Sequence, residues 1–98
     1  MSEQDYDYVE FTPEDIIRRL ELLMAKVPPQ EYHDDGGLAS LALDVSRLSQ
    51  QYSELSEVNT AFQRAISALH PQTYTLQHWQ TLQAAAAEVA AGIRALGA

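Results

Sequence analysis

The sequence predicts an all-α fold, an antiparallel three-helix bundle built on one long central helix. Apolar residues recur at alternating steps of three and four from residue 38 to residue 69, which is the period of helices that pack side by side. A Thr-Pro pair begins a first helix, and a His-Pro pair separates the central helix from an alanine-rich last helix. The three helices are expected over residues 12–27, 37–70 and 75–97.

The central helix carries ten seam positions, of which nine are apolar and one, Asn59, is polar. Positions beside the seam hold few charges and several small residues, so the buried stripe is expected to touch two neighbouring helices. Asn59 has two interpretations: it pairs with its own copy across a symmetric interface, or it is a helix-surface residue near the end of the core. The seam consists of Leu38, Leu41, Val45, Leu48, Tyr52, Leu55, Asn59, Phe62, Ile66 and Leu69.

Three serines in this interval favour an alternative fold. Ser49, Ser53 and Ser56 compete locally with helical hydrogen bonding, because a short hydroxyl side chain can bond to nearby backbone groups. A second helix start near Ser53 would give a four-helix bundle with the central helix broken near Ser53–Ser56. That arrangement is expected if the chain closes on itself as a monomer. The unbroken heptad register favours the continuous helix.

Local signals define the two outer helices. Thr12 is a preferred N-cap, and the proline after it suits the first helical position. The Pro28-Pro29 pair ends the first helix, because proline lacks an amide hydrogen and disfavours helical geometry in the preceding residue. Thr73 or Thr75 is expected to begin the last helix. The apolar repeat of that helix is Trp79, Leu82, Ala86, Val89, Ile93 and Leu96.

The net charge of −8 is concentrated at the start of the chain. Residues 1–35 contain ten acidic and three basic residues, whereas residues 36–98 contain four and three. An acidic surface repels phosphate backbones, so direct nucleic-acid binding is not expected. Residues 1–11 precede a single helical domain, residues 12–98, and are expected to form a flexible acidic leader. Alternatively they dock on a basic partner. The docking residues would be Asp5, Tyr6, Asp7, Tyr8 and Glu10.

The residue types that carry enzyme chemistry are sparse. Cysteine is absent, which excludes disulfides, thiolate zinc sites and thiol catalysis, and a reducing cytoplasmic location is expected. His33, Asp34 and Asp35 are adjacent in a loop without a distant matching pair, so they form a weak metal site, and one of the two aspartates is expected to cap the next helix instead. No apolar run approaches the roughly 18 residues of a membrane span. We expect no enzyme activity, cofactor, membrane contact or small-molecule substrate.

The lengths of the three expected helices predict a second chain. Each outer helix could cover only half of the central one, which would leave an unusually large apolar surface. The predicted function is a non-enzymatic protein–protein interaction module, such as a helical adaptor, assembly subunit or small chaperone, in a homo-oligomer or hetero-complex. The alternative is an acidic inhibitor or immunity-type protein that blocks a basic site on a nuclease, toxin or nucleic-acid-binding protein. The predicted partner-binding residues are Tyr52, Leu55, Val58, Asn59, Phe62, Ile66 and Trp79.

Overall fold

The computed structural model describes residues 12–32 and 37–97, and the acidic leader lies outside these ranges. The described residues form four α-helices and one 3-10 turn, without a strand. The predicted all-α bundle is therefore confirmed. The helices are α1 (Pro13–Ala25), α2 (Gly37–Gln51), α3 (Ser56–Ser67) and α4 (Leu76–Gly97), and the 3-10 turn (Ser53–Leu55) connects α2 to α3.

Helix α1 begins as predicted and ends two residues early. The Thr12 hydroxyl accepts a hydrogen bond from the Asp15 amide at 3.1 Å, which satisfies one of the free donors at the helix start. The helix ends at Ala25, because Lys26 is already extended (φ −74°, ψ 136°). Val27, which the sequence places inside the helix, instead lies in the connecting segment with 82% of its surface exposed.

The start of helix α4 is capped by two residues that bond to each other. The Thr75 hydroxyl accepts from the His78 amide at 3.3 Å, and His78 Nδ1 accepts from the Thr75 amide at 3.2 Å. This is the geometry of a capping box, with histidine in the place of glutamate or glutamine. Of the two threonines predicted to begin the last helix, Thr75 is the one that does so.

The four helices form a ring in which each packs against the helices before and after it. The packed pairs are α1 with α2, α2 with α3, α3 with α4, and α4 with α1. Gln63 Nε2 on α3 donates to the Ala42 carbonyl on α2 at 2.9 Å, so these two helices run antiparallel. An ion pair of 2.6 Å between Arg19 and Asp44 joins α1 to α2. The arrangement is an up-down-up-down bundle.

The interval predicted as one central helix, residues 37–70, is divided at Tyr52. The backbone of Tyr52 is extended (φ −129°, ψ 101°), and α3 folds back along α2. This is the alternative with a break near Ser53–Ser56, and the continuous helix is corrected accordingly. The reversal lets a single chain bury its seam: Leu55 and Phe62 lie fully inside the bundle, whereas a straight helix would leave half of the seam in water.

Helix α4, rather than the predicted central helix, connects the bundle. It contacts α1, α3 and the 3-10 turn, and Ala86, Val89 and Ala90 are completely buried in it. At Gly92 the approach is close, since a Cβ atom there would lie 3.0 Å from Leu55 Cδ2. Small residues on one face of α4 thus allow several neighbours to approach its backbone.

We predict that Leu48→Ala and Leu55→Ala each lower the free energy of unfolding by about 2–5 kcal/mol, because both leucines are buried and truncation leaves a cavity. Glu57→Ala is the control, since Glu57 is exposed and its loss should change stability by no more than about 0.5 kcal/mol. Urea denaturation monitored by circular dichroism measures all three. Equal unfolding midpoints would show that the seam is not the core.

Candidate functional site

A cavity lies beside Trp79 and brings together residues from three of the four helices. Its volume is about 450 Å³, and it lies between the second half of α1, the segment that follows α1 and the start of α2. Most of the lining is apolar or aromatic, and three charged residues lie among the lining residues. We call this the Trp79 cavity. It is lined by Arg19, Leu22, Leu23, Lys26, Pro29, Glu31, Tyr32, Gly37, Leu38, Leu41 and Trp79.

Trp79 is the aromatic centre of the cavity. The side chain is only 2% exposed, and its indole nitrogen has no hydrogen-bond acceptor among the described residues. Buried polar groups are paired in the great majority of cases, so an unpaired indole is an uncommon feature. The Lys26 ammonium lies 5.7 Å from the centre of the Trp79 ring, which is a cation–π distance. The cavity therefore combines a large apolar surface with a positive charge.

The segment after α1 forms one wall of the cavity, and polar contacts from α4 and from the loop before α4 hold it in place. Gln83 Nε2 lies 3.2 Å from the Leu23 and Met24 carbonyls and 3.0 Å from the Lys26 carbonyl, so it caps the end of α1. The Tyr74 hydroxyl donates to the Pro29 carbonyl at 2.7 Å. These bonds fix a wall that would otherwise be a free loop.

A second contact steadies the same wall. The rings of Tyr32 and Tyr74 are stacked with centroids 6.1 Å apart, within the range for paired aromatic side chains. Tyr32 is buried and also lines the cavity. The wall is thus held both by hydrogen bonds and by aromatic packing.

The rim of the Trp79 cavity is apolar and unusually exposed. Leu22, which lines the cavity, has 67% of its surface in contact with solvent, and Val27 in the adjoining wall segment is more exposed still. Arg19 is already engaged, since it contacts Asp44 and donates to the Ser40 hydroxyl at 3.2 Å. Lys26 has no carboxylate within 4.0 Å among residues 12–32 and 37–97. Its charge remains available to an incoming group.

The predicted partner-binding residues do not form one surface. Leu55 and Phe62 are completely buried within the chain, and Val58 and Ile66 are partly buried. Tyr52, at the break, is 40% exposed. Trp79 lies in the cavity, and Leu38 and Leu41 are the two seam residues that line the cavity with it. In the single chain most of the seam therefore packs internally.

Asn59 takes a different role from either a symmetric pair or an isolated surface amide. Its Oδ1 accepts a hydrogen bond from Gln63 Nε2 at 3.0 Å, one turn further along α3. The same Gln63 amide reaches the Ala42 carbonyl on α2. Asn59 thus orients the side chain that connects the two helices.

The remaining predicted sites fall largely outside the described residues. The docking segment of the leader and the loop residues His33, Asp34 and Asp35 are in this class. Six of the fourteen acidic residues lie in residues 1–11 or 33–36, whereas all six basic residues are described. Within the described part of the chain, no group of three histidines and carboxylates could hold a metal ion. The acidic-inhibitor hypothesis stays a prediction.

Sequence reasoning missed most of the cavity. Leu22 lies off the apolar stripe of α1, Gln83 is one of three glutamines in α4, and Tyr32 is in a loop. No local pattern brings these residues together, because Gln83 meets α1 across about 60 positions of sequence.

Comparison of the chain with protein-family models, curated proteins and solved structures finds no match. Among the helices that the structure describes, none is both long and apolar enough to cross a membrane. The function must therefore be inferred from the geometry of the Trp79 cavity and of the helices around it.

We predict that Gln83→Ala lowers the free energy of unfolding by about 1–2 kcal/mol, because it removes the donor shared by three carbonyls at the end of α1. Gln80→Ala is a matched control: it is the same substitution in the same helix, at an exposed residue. Hydrogen exchange should show faster exchange in the last turn of α1 for Gln83→Ala alone. Equal exchange in both variants would contradict the capping role.

Proposed function

We propose that this protein is a non-enzymatic interaction module that binds another protein chain at the Trp79 cavity. The observation that carries the proposal is an apolar cavity whose rim leucine, Leu22, remains two-thirds exposed. Exposed apolar groups around a concavity are typical of binding surfaces rather than of inert surface. An adaptor or assembly subunit of the cytoplasm fits this surface.

The shape of the cavity suits an apolar side chain presented by a partner. Tryptophan, tyrosine and leucine side chains supply large contact areas, and aromatic residues in desolvated pockets dominate many interfaces. The wall of the cavity is held by Gln83 and Tyr74, so little side-chain entropy would be lost on binding. Binding would then depend mainly on burial of the partner's side chain.

The charge near the cavity adds specificity to this apolar contact. Lys26 lies at the cavity with its ammonium over the Trp79 ring. A carboxylate next to the partner's apolar side chain would meet this ammonium. Rim charges of this kind contribute more to association rate and partner choice than to affinity.

Non-enzymatic function is part of the proposal. The cavity lining consists of leucines, aromatic rings, a proline and a glycine, together with Lys26, Glu31 and an arginine that is already paired to Asp44. The aliphatic hydroxyl, thiol and imidazole side chains that most often act as nucleophile and base are not among the lining residues. The lining thus supports recognition more than chemistry.

We predict that a photo-crosslinking residue at position 22 captures one specific protein in the native cell, because Leu22 lies at the rim of the binding cavity. The matched control carries the same residue in place of Leu43, which is also an exposed leucine (51%) but lies on the outer face of α2. Denaturing electrophoresis and mass spectrometry identify the adduct. Equal capture at both positions, or capture at neither, would contradict the proposal.

The salt dependence of binding distinguishes this proposal from the acidic-inhibitor alternative. A contact that depends on apolar burial should persist in 1 M salt, whereas a contact steered by the acidic leader should weaken sharply, since ~1 M salt screens charges beyond about 3 Å. When a cell extract is irradiated in about 1 M salt, the crosslink from position 22 is expected to form as it does at low salt. Loss of the crosslink under these conditions would favour the alternative.

A further inference from the structure

The heptad seam continues without interruption across the point where the helix breaks. Leu48, Tyr52 and Leu55 keep the alternating steps of four and three, although the chain leaves helical geometry between them. A sequence that specified only a hairpin would have no need to keep register through the turn, because α2 and α3 are separate helices there. The retained register is that of one straight helix.

The break itself involves only a few backbone residues. Tyr52 is the one residue between α2 and the 3-10 turn, and its amide still donates to the Leu48 carbonyl at 3.0 Å as in a regular helix. Ser56 is already in the right-handed helical region (φ −59°, ψ −46°). Rotation of φ and ψ at Tyr52 from −129° and 101° to helical values, with a smaller change of ψ at Leu55 from 0°, would therefore bring α2 and α3 close to one continuous helix.

We infer that Tyr52 is a hinge through which two copies of this chain exchange halves and form a dimer. In the dimer, residues 37–67 form one straight helix of roughly 46 Å in each chain. The α1–α2 half of one copy packs on the α3–α4 half of the other. Exchange of identical elements between protomers forms the same contacts that the monomer has. The free energies of the two states therefore differ mainly through the conformation of the hinge.

The contacts that would pass between chains can be named from the monomer. Gln63 would donate to Ala42 of the other copy, and Gln83 would cap α1 of the other copy, at the distances found within one chain. The ion pair between Arg94 and Glu21 would likewise become intermolecular. The Trp79 cavity would then be built from two chains. This inference does not depend on the proposed function of that cavity.

The exposure of Tyr52 indicates that the second copy covers the hinge. Tyr52 occupies a seam position but remains 40% exposed in the single chain. Because α2 and α3 are antiparallel and meet at Ala42 and Gln63, the two-fold axis of an exchanged dimer would pass near residue 52. Each Tyr52 would then lie next to its own copy. The one poorly covered seam residue near the break is thus the residue that dimerisation would bury.

Two substitutions at one position test the hinge in opposite directions. Ser53→Pro should hold the chain closed: proline forces the preceding residue toward the extended geometry that Tyr52 already has. The Ser53 amide also makes no hydrogen bond among the described residues. Inside a straight helix the same proline is strongly unfavourable. Ser53→Ala should favour the straight helix, since alanine has the higher helix propensity.

Light scattering on the full chain, from about 10 μM to 1 mM, measures the mass. We expect the wild type to pass from 10.9 kDa to twice that mass as concentration rises. Ser53→Pro should weaken dimerisation by more than about 100-fold, and Ser53→Ala should strengthen it by about fivefold. A wild type and a Ser53→Ala variant that both stay monomeric at 1 mM would overturn the inference, as would unchanged dimerisation of Ser53→Pro.

A distance measurement separates an exchanged dimer from a simple one and does not rely on a hinge variant. The chain has no cysteine, so Leu43→Cys and Arg64→Cys accept two spin labels at exposed positions. In the closed hairpin the labels lie within roughly 20 Å, because packed helices are 8–10 Å apart. In a straight helix, 21 residues separate them by about 32 Å. With excess unlabelled protein, a long distance in the dimer supports the exchange, and a short one overturns it.

Discussion

Leu55 packs so closely against Gly92 that a Cβ atom at residue 92 would lie 3.0 Å from Leu55 Cδ2, which is tighter than an ordinary van der Waals contact. This contact fixes the 3-10 turn to α4 and places α3 alongside the last helix. The small residues of α4 extend the effect, because Ala86 and Ala90 are completely buried and let the neighbouring helices come near the α4 backbone. Dispersion contacts between many atom pairs, each weak, depend on that proximity. Helix α4 thus determines where α1 and α3 lie.

Local signals in the sequence were sufficient for the start of α1 and for the fold class, and they limited the start of the last helix to Thr73 or Thr75. The hydroxyls of Thr12 and Thr75 each accept a hydrogen bond from the amide three positions later, so these bonds depend only on local spacing. The division at Tyr52 could not be settled in this way. A heptad pattern shows which residues are apolar, but it does not show whether the same chain or another covers them. That choice depends on the whole length of chain available to bury the seam.

The Trp79 cavity was inaccessible to sequence reasoning for a different reason. Trp79 itself was singled out, because a large aromatic residue on an apolar repeat is conspicuous. The cavity also needs the extended segment after α1, whose position is fixed by Tyr74 and Gln83 from the other end of the chain. Polar contacts between residues so far apart in the chain do not produce a periodic pattern in the sequence. The chain therefore combines a core that follows simple patterning rules with a cavity wall held by individual side chains.

The link between α1 and α4 has a consequence for the order of events during protein synthesis. Gln83, Trp79 and Arg94 all contact α1 or the residue after it. The ribosome makes these three residues more than 50 positions after α1, so the first helix emerges long before its main partner exists. Non-local contacts of this kind are established late, once the intervening chain has closed. The face of α1 that packs on α4 therefore cannot be covered until nearly the whole chain has been synthesised, and the complete bundle cannot form before that point.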